Sequence, residues 1–188
     1  MSFFGKIKEQ LGKRILRGEM NDHQRARTVI SLTEAITIGI VFDPTENEEH
    51  DLVKKYVNYL KEMKKKVKAI GFYNIKDVPQ STYSKLEFDY ISLKDLSWNQ
   101  SPAGVVVDNF IGEEFDVLID LNTRDHFPLQ YIASLSKAKF KVGKNAGPDT
   151  SIYDMVIETG SDKGLKFLLR NIDTYLLMLN KKEEGPAE

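Results

Sequence analysis

The sequence contains no cysteine among its 188 residues. Disulfides, thiolate zinc sites, iron–sulfur clusters and thiol nucleophiles are therefore excluded. Histidine is scarce too, since only His23, His50 and His126 are present, far apart in the chain, and a metal site built from imidazoles is not expected. The 27 basic and 28 acidic residues leave a net charge of −1. The chain as a whole therefore has no positive electrostatic potential that would attract nucleic acid, and no DNA partner is expected.

Long apolar runs are also missing. No run reaches the ~18 residues that a membrane-spanning helix needs, and the N-terminus lacks the apolar segment and cleavage site of a secretory signal. We therefore expect a cytoplasmic protein. The length suits one domain with a substantial core, and a second full domain is not expected. The expected organisation is a basic amphipathic arm over residues 1–28, one domain over residues 29–180 and a disordered tail over residues 181–188.

Apolar residues spaced three and four apart predict an amphipathic helix over residues 3–17. Across residues 1–27 there are seven Lys or Arg and three acids, so this region is more basic than the whole chain. Two interpretations stay open. The region is structural, as a helix folded onto the domain or a frayed arm weakened by Gly5 and Gly12, or it contacts a partner protein, RNA or an anionic membrane surface at the periphery of the inner membrane. The residues that would contact a membrane or protein partner are Phe3, Phe4, Lys6, Ile7, Leu11, Lys13 and Arg14.

Strands and helices alternate along the rest of the chain. Runs rich in Ile and Val predict strands at residues 35–42 and 67–73, and the helix between them begins near Thr45, which fits a capping box with Glu48. Whether residues 105–114 form a strand or a helix stays open. The alternation predicts a three-layer, Rossmann-like α/β domain, with a mainly parallel sheet of about five or six strands and helices on both faces.

The stretch from Phe115 to Gly143 predicts a strand, a polar loop, a short helix and a second strand. If the strand order is 3-2-1-4, Asp43 and Asp120 end neighbouring strands at the switch point, where open parallel sheets bind ligands. The two carboxylates could hold Mg²⁺, the candidate cofactor, and His126 could act as an acid or base near neutral pH. The loop residues that would complete a ligand site are Asn122, Thr123, Arg124 and Asp125.

These side chains also have structural interpretations. Asp43 and Asp125 can cap the helices that follow them, and Asp120 can accept hydrogen bonds from turn amides. Arg124 can bind an anion at a helix start or face solvent. The turn that begins at Asp43 has the sequence DPTENE, which lacks the glycines of a phosphate loop and carries acids that repel phosphate. A dinucleotide site is therefore not expected.

The stretch from Phe115 to Gly143 resembles one known family. The strings FDVLIDL and LSKAKFKVG, within a stretch of 29 residues, are similar to the N-terminal domain of heptosyltransferase-like (family 9) glycosyltransferases. In that family the loop after the first strand carries the catalytic acid, so the resemblance makes Asp43 the only candidate equivalent here. The family's glycine-bearing loop is replaced by DPT in this chain, and two Rossmann-like domains do not fit its length. A complete glycosyltransferase is therefore not expected.

A second resemblance covers nearly the whole chain. The strings GIVFD, LVKKYVNYLKEMKKKVKAIGFY, SKLEFDYIS, NFIGEEFDVLIDL, FPLQYIASLSKAKFKVG and YDMVIE are similar to an uncharacterised family of small cytoplasmic α/β proteins, found mainly in Bacteroidetes-type bacteria. That resemblance implies a fold and transfers no activity or site residues.

Three hypotheses for function follow from these observations. The missing phosphate loop favours a non-catalytic binding or adaptor module, which uses its N-terminal or C-terminal helix as a contact surface. The first alternative is a small enzyme or sensor that acts on a phosphorylated or sugar-nucleotide ligand at the cleft near Asp43 and Asp120. The second alternative is a peripheral membrane protein anchored by residues 3–17.

Overall fold

The computed structural model describes residues 3–79, 82, 86–144, 152–159 and 164–179, except for the side chains of Phe3 and Phe4. The described residues form one sheet of six strands, which are β1 (Thr37–Phe42), β2 (Lys66–Phe72), β3 (Phe88–Ile91), β4 (Val117–Asp120), β5 (Phe140–Lys144) and β6 (Met155–Ile157). The α-helices are α1 (Phe3–Asp22), α2 (Asn47–Glu62), α3 (Val105–Gly112), α4 (Phe127–Leu135) and α5 (Leu165–Met178). The predicted tail at residues 181–188 lies outside the described residues.

All neighbouring strands are parallel and follow the order β3-β2-β1-β4-β5-β6. The predicted α/β class is confirmed, and the order 3-2-1-4, on which the proximity of Asp43 and Asp120 depends, is the order observed. Val41 of β1 lies opposite Ile70 of β2 on one side and Asp120 of β4 on the other. The connections diverge between β1 and β4, so the switch point lies beside Asp43 and Asp120, at the carboxyl edge of the sheet.

The two faces of the sheet bury separate cores, as expected for strands that are apolar on both sides. Ile38, Ile40 and Phe42 pack towards α2 and α5, whereas Val41 packs towards α3 and α4. Gly39 is needed on the second face, because a Cβ atom there would lie 2.7 Å from the ring of Phe115. The segment at residues 105–114, for which strand and helix were both open, contains helix α3. Val107 and Phe110 lie three positions apart on this helix, so both side chains pack into this core.

The predicted helix caps are wrong for two helices. α2 begins at Asn47, and its N-cap residue Glu46 makes no side-chain cap, so the predicted capping box of Thr45 and Glu48 does not form. Thr45 lies too early in the chain and instead donates its backbone N–H to Asp43. The N-cap residue of α4 is His126, also without a side-chain cap, so Asp125 does not cap that helix.

Helix α1 packs on the outer surface of α4 and forms an additional layer of the fold. Leu16 is buried with Phe127 and Leu135, and a Cβ atom at Gly12 would lie 2.3 Å from the backbone oxygen of Asn99. The close approach therefore needs a glycine at position 12. No helix in the described part of the chain is both long and apolar enough to cross a membrane.

Candidate functional site

The loops that follow β1 and β4 meet at the switch point. Asp43 lies just after β1 and is buried, with 3% of its surface exposed. Its Oδ2 atom accepts a hydrogen bond from the Arg124 guanidinium at 2.7 Å and lies 2.9 Å from Nε2 of His126. Its Oδ1 atom accepts the backbone N–H of Thr45 at 2.8 Å. The structure therefore brings three predicted site residues together, namely Asp43, Arg124 and His126.

Arg124 also contacts the first turn of α2. Its guanidinium lies 3.2 Å from Glu49 and 3.5 Å from Glu46, and the Thr123 hydroxyl donates to Glu49 at 3.4 Å. We call Asp43, Glu46, Glu49, Arg124 and His126 the switch-point network. These side chains bridge the crevice in which an open parallel sheet usually binds its ligand. Three carboxylates surround Arg124, so its charge is compensated within the protein.

Electrostatics keep Asp43 ionised. Burial opposes its charge, but hydrogen bonds from His126, Thr45 and Arg124 outweigh burial and hold the pKa of Asp43 well below its usual value. Burial also works against the charge of Arg124, and the carboxylates of Asp43, Glu49 and Glu46 more than offset it and raise the pKa of Arg124. The pair is a stable cation–anion contact across the loops.

Asp120 has a different environment although it ends the neighbouring strand. Its Oδ1 atom accepts the backbone N–H of Asn122 at 2.8 Å, as its predicted turn-amide role requires. Its Oδ2 atom accepts the hydroxyl of Tyr153. Burial raises the pKa of Asp120 to about 6, although the bonds from Tyr153 and Asn122 and the charge of Lys144 lower it. No local sequence pattern indicates the Tyr153 contact, because that residue lies 33 positions further along the chain.

A recess of about 10 Å³ separates Asp120 from the switch-point network, lined in part by His126, Lys144 and Tyr153. That volume holds one water at most. Lys144 donates to the backbone oxygen of Thr123 at 2.6 Å, and Asp125 extends into solvent. Within the described residues, no group of three or more His, Asp or Glu side chains could hold a metal ion. The magnesium site at Asp43 and Asp120 stays a prediction.

An open pocket of about 340 Å³ lies on the other side of β1, and we call it the β2 pocket. Asn47 and Lys54 line it from α2, and Tyr73 and Asn74 line it from the end of β2. His50 closes one wall and contacts the Tyr90 hydroxyl at 2.9 Å. Burial, helped by the charge of Lys54, lowers the pKa of His50 to about 4, so its ring is neutral at pH 7. The pocket volume is at the lower end of the range for small-molecule sites.

The predicted contact helix presents an apolar surface to solvent. Ile7, Leu11 and Ile15 are 40%, 41% and 41% exposed, and we call these three residues the α1 stripe. Leu16, which lies opposite Ile7 on the helix, and Gly12 make the contact with the domain. Lys6, Lys8, Lys13, Arg14 and Arg17 are exposed around the stripe. The side chains of Phe3 and Phe4, also predicted to contact a partner, lie outside the described residues.

Comparison with known proteins identifies the family. No curated protein and no solved structure is significantly similar to this chain. A family model described as "Family of unknown function (DUF6913)" matches residues 8–179, which include most of α1 and every strand. The chain therefore belongs to this family of unknown function, DUF6913.

Proposed function

We propose that this protein is a non-catalytic binding module that docks on an anionic membrane surface through α1. The observation that carries the proposal is the outward position of the α1 stripe. Amphipathic helices of globular proteins normally turn their apolar side inward, because burial of that side stabilises the fold. Here Leu16, Met20 and the backbone at Gly12 make the contact with the domain, and three large aliphatic residues remain at the surface.

The helical geometry explains how this happens. Ile7 and Leu16 are nine positions apart, and at roughly 100° per residue they lie on opposite sides of the helix. Leu11 and Ile15 follow Ile7 at intervals of four and continue the same side. A bulky residue at position 12 would prevent the close contact with Asn99, so the glycine selects the side that packs. The apolar side is left free for a partner.

Charge favours a lipid surface as that partner. Lys6, Lys8, Arg14 and Arg17 are exposed, and the one ion pair found within the described part of α1 joins Lys13 to Glu9 at 2.7 Å. Cations near an anionic membrane each contribute about 1 kcal/mol, and aliphatic side chains add the burial of their exposed area. Trp98, which is 65% exposed, precedes the Asn99 that contacts α1, and tryptophan is favoured at membrane interfaces.

Replacing Ile7 and Leu11 by serine should weaken binding to anionic vesicles by about tenfold or more, because each aliphatic side chain loses roughly 1 kcal/mol of interfacial burial. The measurement is sedimentation of the full chain with phosphatidylglycerol-containing vesicles, compared with phosphatidylcholine vesicles. The intact protein is expected to bind only the anionic vesicles, and less strongly at high salt.

The matched control replaces Leu177 and Met178 by serine, since these exposed apolar residues lie on α5 and remove a similar area elsewhere. This control should bind vesicles as the parent does. Circular dichroism would verify that both double variants keep their helices. If the parent protein does not bind anionic vesicles, or if the α5 control loses binding equally, the membrane proposal is wrong and a protein partner for α1 is the next candidate.

A second candidate function rests on the β2 pocket. Its walls combine a half-buried cation, Lys54, which donates to Asp51 at 3.2 Å, with Tyr73, Asn47 and Asn74. This chemistry suits a small phosphorylated or sugar-nucleotide ligand, the class suggested by the resemblance to glycosyltransferase N-terminal domains. The pocket lies beside the switch-point network, so ligand binding would adjoin Asp43 without requiring the network to open.

Lys54→Met should reduce affinity for a ligand of this pocket by about tenfold, because a charge-assisted hydrogen bond is lost. The experiment is a thermal-shift titration with nucleoside diphosphates and nucleotide sugars, in which ligand at 100 times its Kd adds about 2.7 kcal/mol of stability. Lys55→Met is the matched control, since Lys55 is exposed on α2 and does not line the pocket. Equal stabilisation of both variants, or none of the parent, would contradict ligand binding here.

A further inference from the structure

A second cavity, of about 380 Å³, lies between the end of α4, the start of β5 and the segment that connects α1 to β1. The connecting segment contributes His23, Arg25 and Arg27 at alternate positions, and β5 contributes Lys141. We call it the arginine cavity. Met20 and Ile152 supply apolar wall, and the described residues that line the cavity include no carboxylate. Four basic side chains therefore surround one space.

Two of these basic groups have structural partners. Arg25 donates to both carboxylate oxygens of Asp154, at 2.8 and 2.7 Å, and to two backbone oxygens. Lys141 is 1% exposed and donates to the backbone oxygens of Ala133 and Ser134, at 2.7 and 2.8 Å. An ammonium group has three N–H donors, and no described residue accepts the third one.

The other two basic groups are available to a ligand. Arg27 is 66% exposed on its side chain and lies 3.9 Å from Asp154, a distance too long for a hydrogen bond. His23 directs Nε2 to the backbone oxygen of Ser136 at 3.3 Å, which leaves Nδ1 as its second ring nitrogen. Asp154, which lies behind this lining, accepts hydrogen bonds from Arg25 and from the backbone N–H of Lys141, the latter at 2.8 Å. Positive charge therefore exceeds negative charge around the cavity.

We propose that the arginine cavity binds a small organic oxyanion, such as a phosphate monoester, through Arg27, Lys141 and His23. The guanidinium and the ammonium group hydrogen-bond the anion oxygens, and Met20 and Ile152 contact the organic part. The cavity is larger than an inorganic phosphate needs, so an ester with a few carbon atoms fits it better. Arg25 keeps its structural contacts and positions the segment that carries Arg27.

The titration behaviour of the cavity agrees with this assignment. Burial, together with the charges of Arg25 and Arg27, lowers the pKa of Lys141 to about 7 against the opposing effect of Asp154. Burial likewise lowers the pKa of His23, as do Lys141, Lys137 and Arg25, although the Ser136 contact raises it. An anion would reverse these repulsions, so binding takes up protons and should strengthen as pH falls from 8.5 to 6.

The test is isothermal titration of the full-length protein with inorganic sulfate, inorganic phosphate and glycerol 3-phosphate, at constant ionic strength in chloride. Sulfate keeps its charge over this pH range, so its pH dependence reports the protein alone. We expect saturable one-to-one binding, tighter for glycerol 3-phosphate than for inorganic phosphate. Arg27→Gln should weaken binding by about tenfold at pH 6. Arg27 is exposed, so this variant should fold.

Arg17→Gln is the matched control, because Arg17 is an exposed cation on α1 that does not line the cavity. It should bind sulfate as the parent does. The proposal is overturned if sulfate gives no more heat than chloride, if both variants lose affinity equally, or if affinity does not fall between pH 6 and pH 8.5.

Vesicle sedimentation of the Arg27→Gln variant distinguishes two sources of the oxyanion, a free metabolite and a lipid headgroup. If Arg27→Gln loses glycerol 3-phosphate binding and keeps vesicle binding, the ligand is a free molecule. If it loses both, the cavity takes a phospholipid headgroup. Loss of the α1 stripe by serine substitution should leave sulfate binding unchanged, so failure of membrane docking and failure of the anion site are distinguishable.

Discussion

Asp120→Asn should stabilise the protein progressively as pH rises, with the difference in unfolding free energy between variant and parent growing by about 2 to 3 kcal/mol from pH 4 to pH 8. The carboxyl group is buried beside Tyr153, and burial raises its pKa from 3.8 to about 6. Asparagine has the same shape, and its oxygen can still accept the backbone N–H of Asn122. The substitution therefore removes the titrating charge with little change in packing.

The sign follows from proton linkage. Below the pKa that Asp120 has in the unfolded chain, its carboxyl group is protonated in both the folded and the unfolded state, so the parent has its full stability. Between that pKa and about 6, the folded protein holds a proton that the unfolded chain has released, so the parent loses stability as pH rises. Above about 6, the buried charge costs a constant amount. The variant has no such group and escapes this loss.

The measurement is urea denaturation of parent and variant at half-unit steps from pH 4 to pH 8. Asp77→Asn is the control for the loss of a surface carboxylate, because Asp77 lies in an exposed pair with Lys94. If the difference for Asp120→Asn grows with pH no more than that of the control, the carboxylate of Asp120 is not buried as a lone charge.

Arg25→Leu should lower the free energy of unfolding by about 3 to 4 kcal/mol at pH 7. The guanidinium is 5% exposed, forms a two-pronged contact with Asp154 and donates to the backbone oxygens of Ala138 and Lys139. Removing it leaves a carboxylate that is 12% exposed without its main partner, and it takes one donor away from each of the backbone oxygens of Ala138 and Lys139. The connecting segment after α1 would lose its main attachment to β5 and β6.

The control for this prediction is Lys94→Leu, which breaks the exposed pair with Asp77 and should change stability by less than about 1 kcal/mol. Urea denaturation of both variants gives the comparison. The double variant Arg25→Leu with Asp154→Asn should recover part of the loss, since it removes the unpaired charge. If Arg25→Leu costs no more than Lys94→Leu, the buried pair does not secure the segment.

Much of the fold was predictable because its elements are local. The run from Val117 to Leu121 is apolar at nearly every position, as only a strand covered on both faces is, and the spacing of Val53, Val57 and Leu60 identifies one side of α2. The predicted caps were wrong because a cap depends on the exact residue at which a helix begins, and hydrophobic periodicity does not define that residue. Thr45 and Asp125 each lie one residue before the observed N-cap.

The candidate site was predictable in part. Topology rules placed Asp43 and Asp120 on neighbouring strands, and the hydrogen bond from Asn122 to Asp120 is the turn contact that their spacing suggests. Their chemistry was not predictable, because Arg124 and Tyr153 reach them from distant positions. One carboxylate has its pKa lowered and the other has it raised, although both follow buried strands.

Lys141 illustrates a residue that sequence reasoning missed. It lies between the buried Phe140 and Val142 in β5, a position that indicates a buried lysine with a structural or binding role. The partners that make its burial tolerable are carbonyl groups at the end of α4, and no short sequence pattern indicates them.

The sequence by itself determined the alternation of strands and helices, the parallel sheet and the basic, amphipathic character of α1, because each depends on periodicity within a single segment. Only the tertiary structure decided which side of α1 packs, since that depends on whether Gly12 or the α1 stripe fits against α4 and Asn99. It also decided that the switch-point crevice is bridged by ion pairs and that four basic residues share a cavity. Burial and charge pairing join residues far apart in the chain, and local patterns carry no information about such distances.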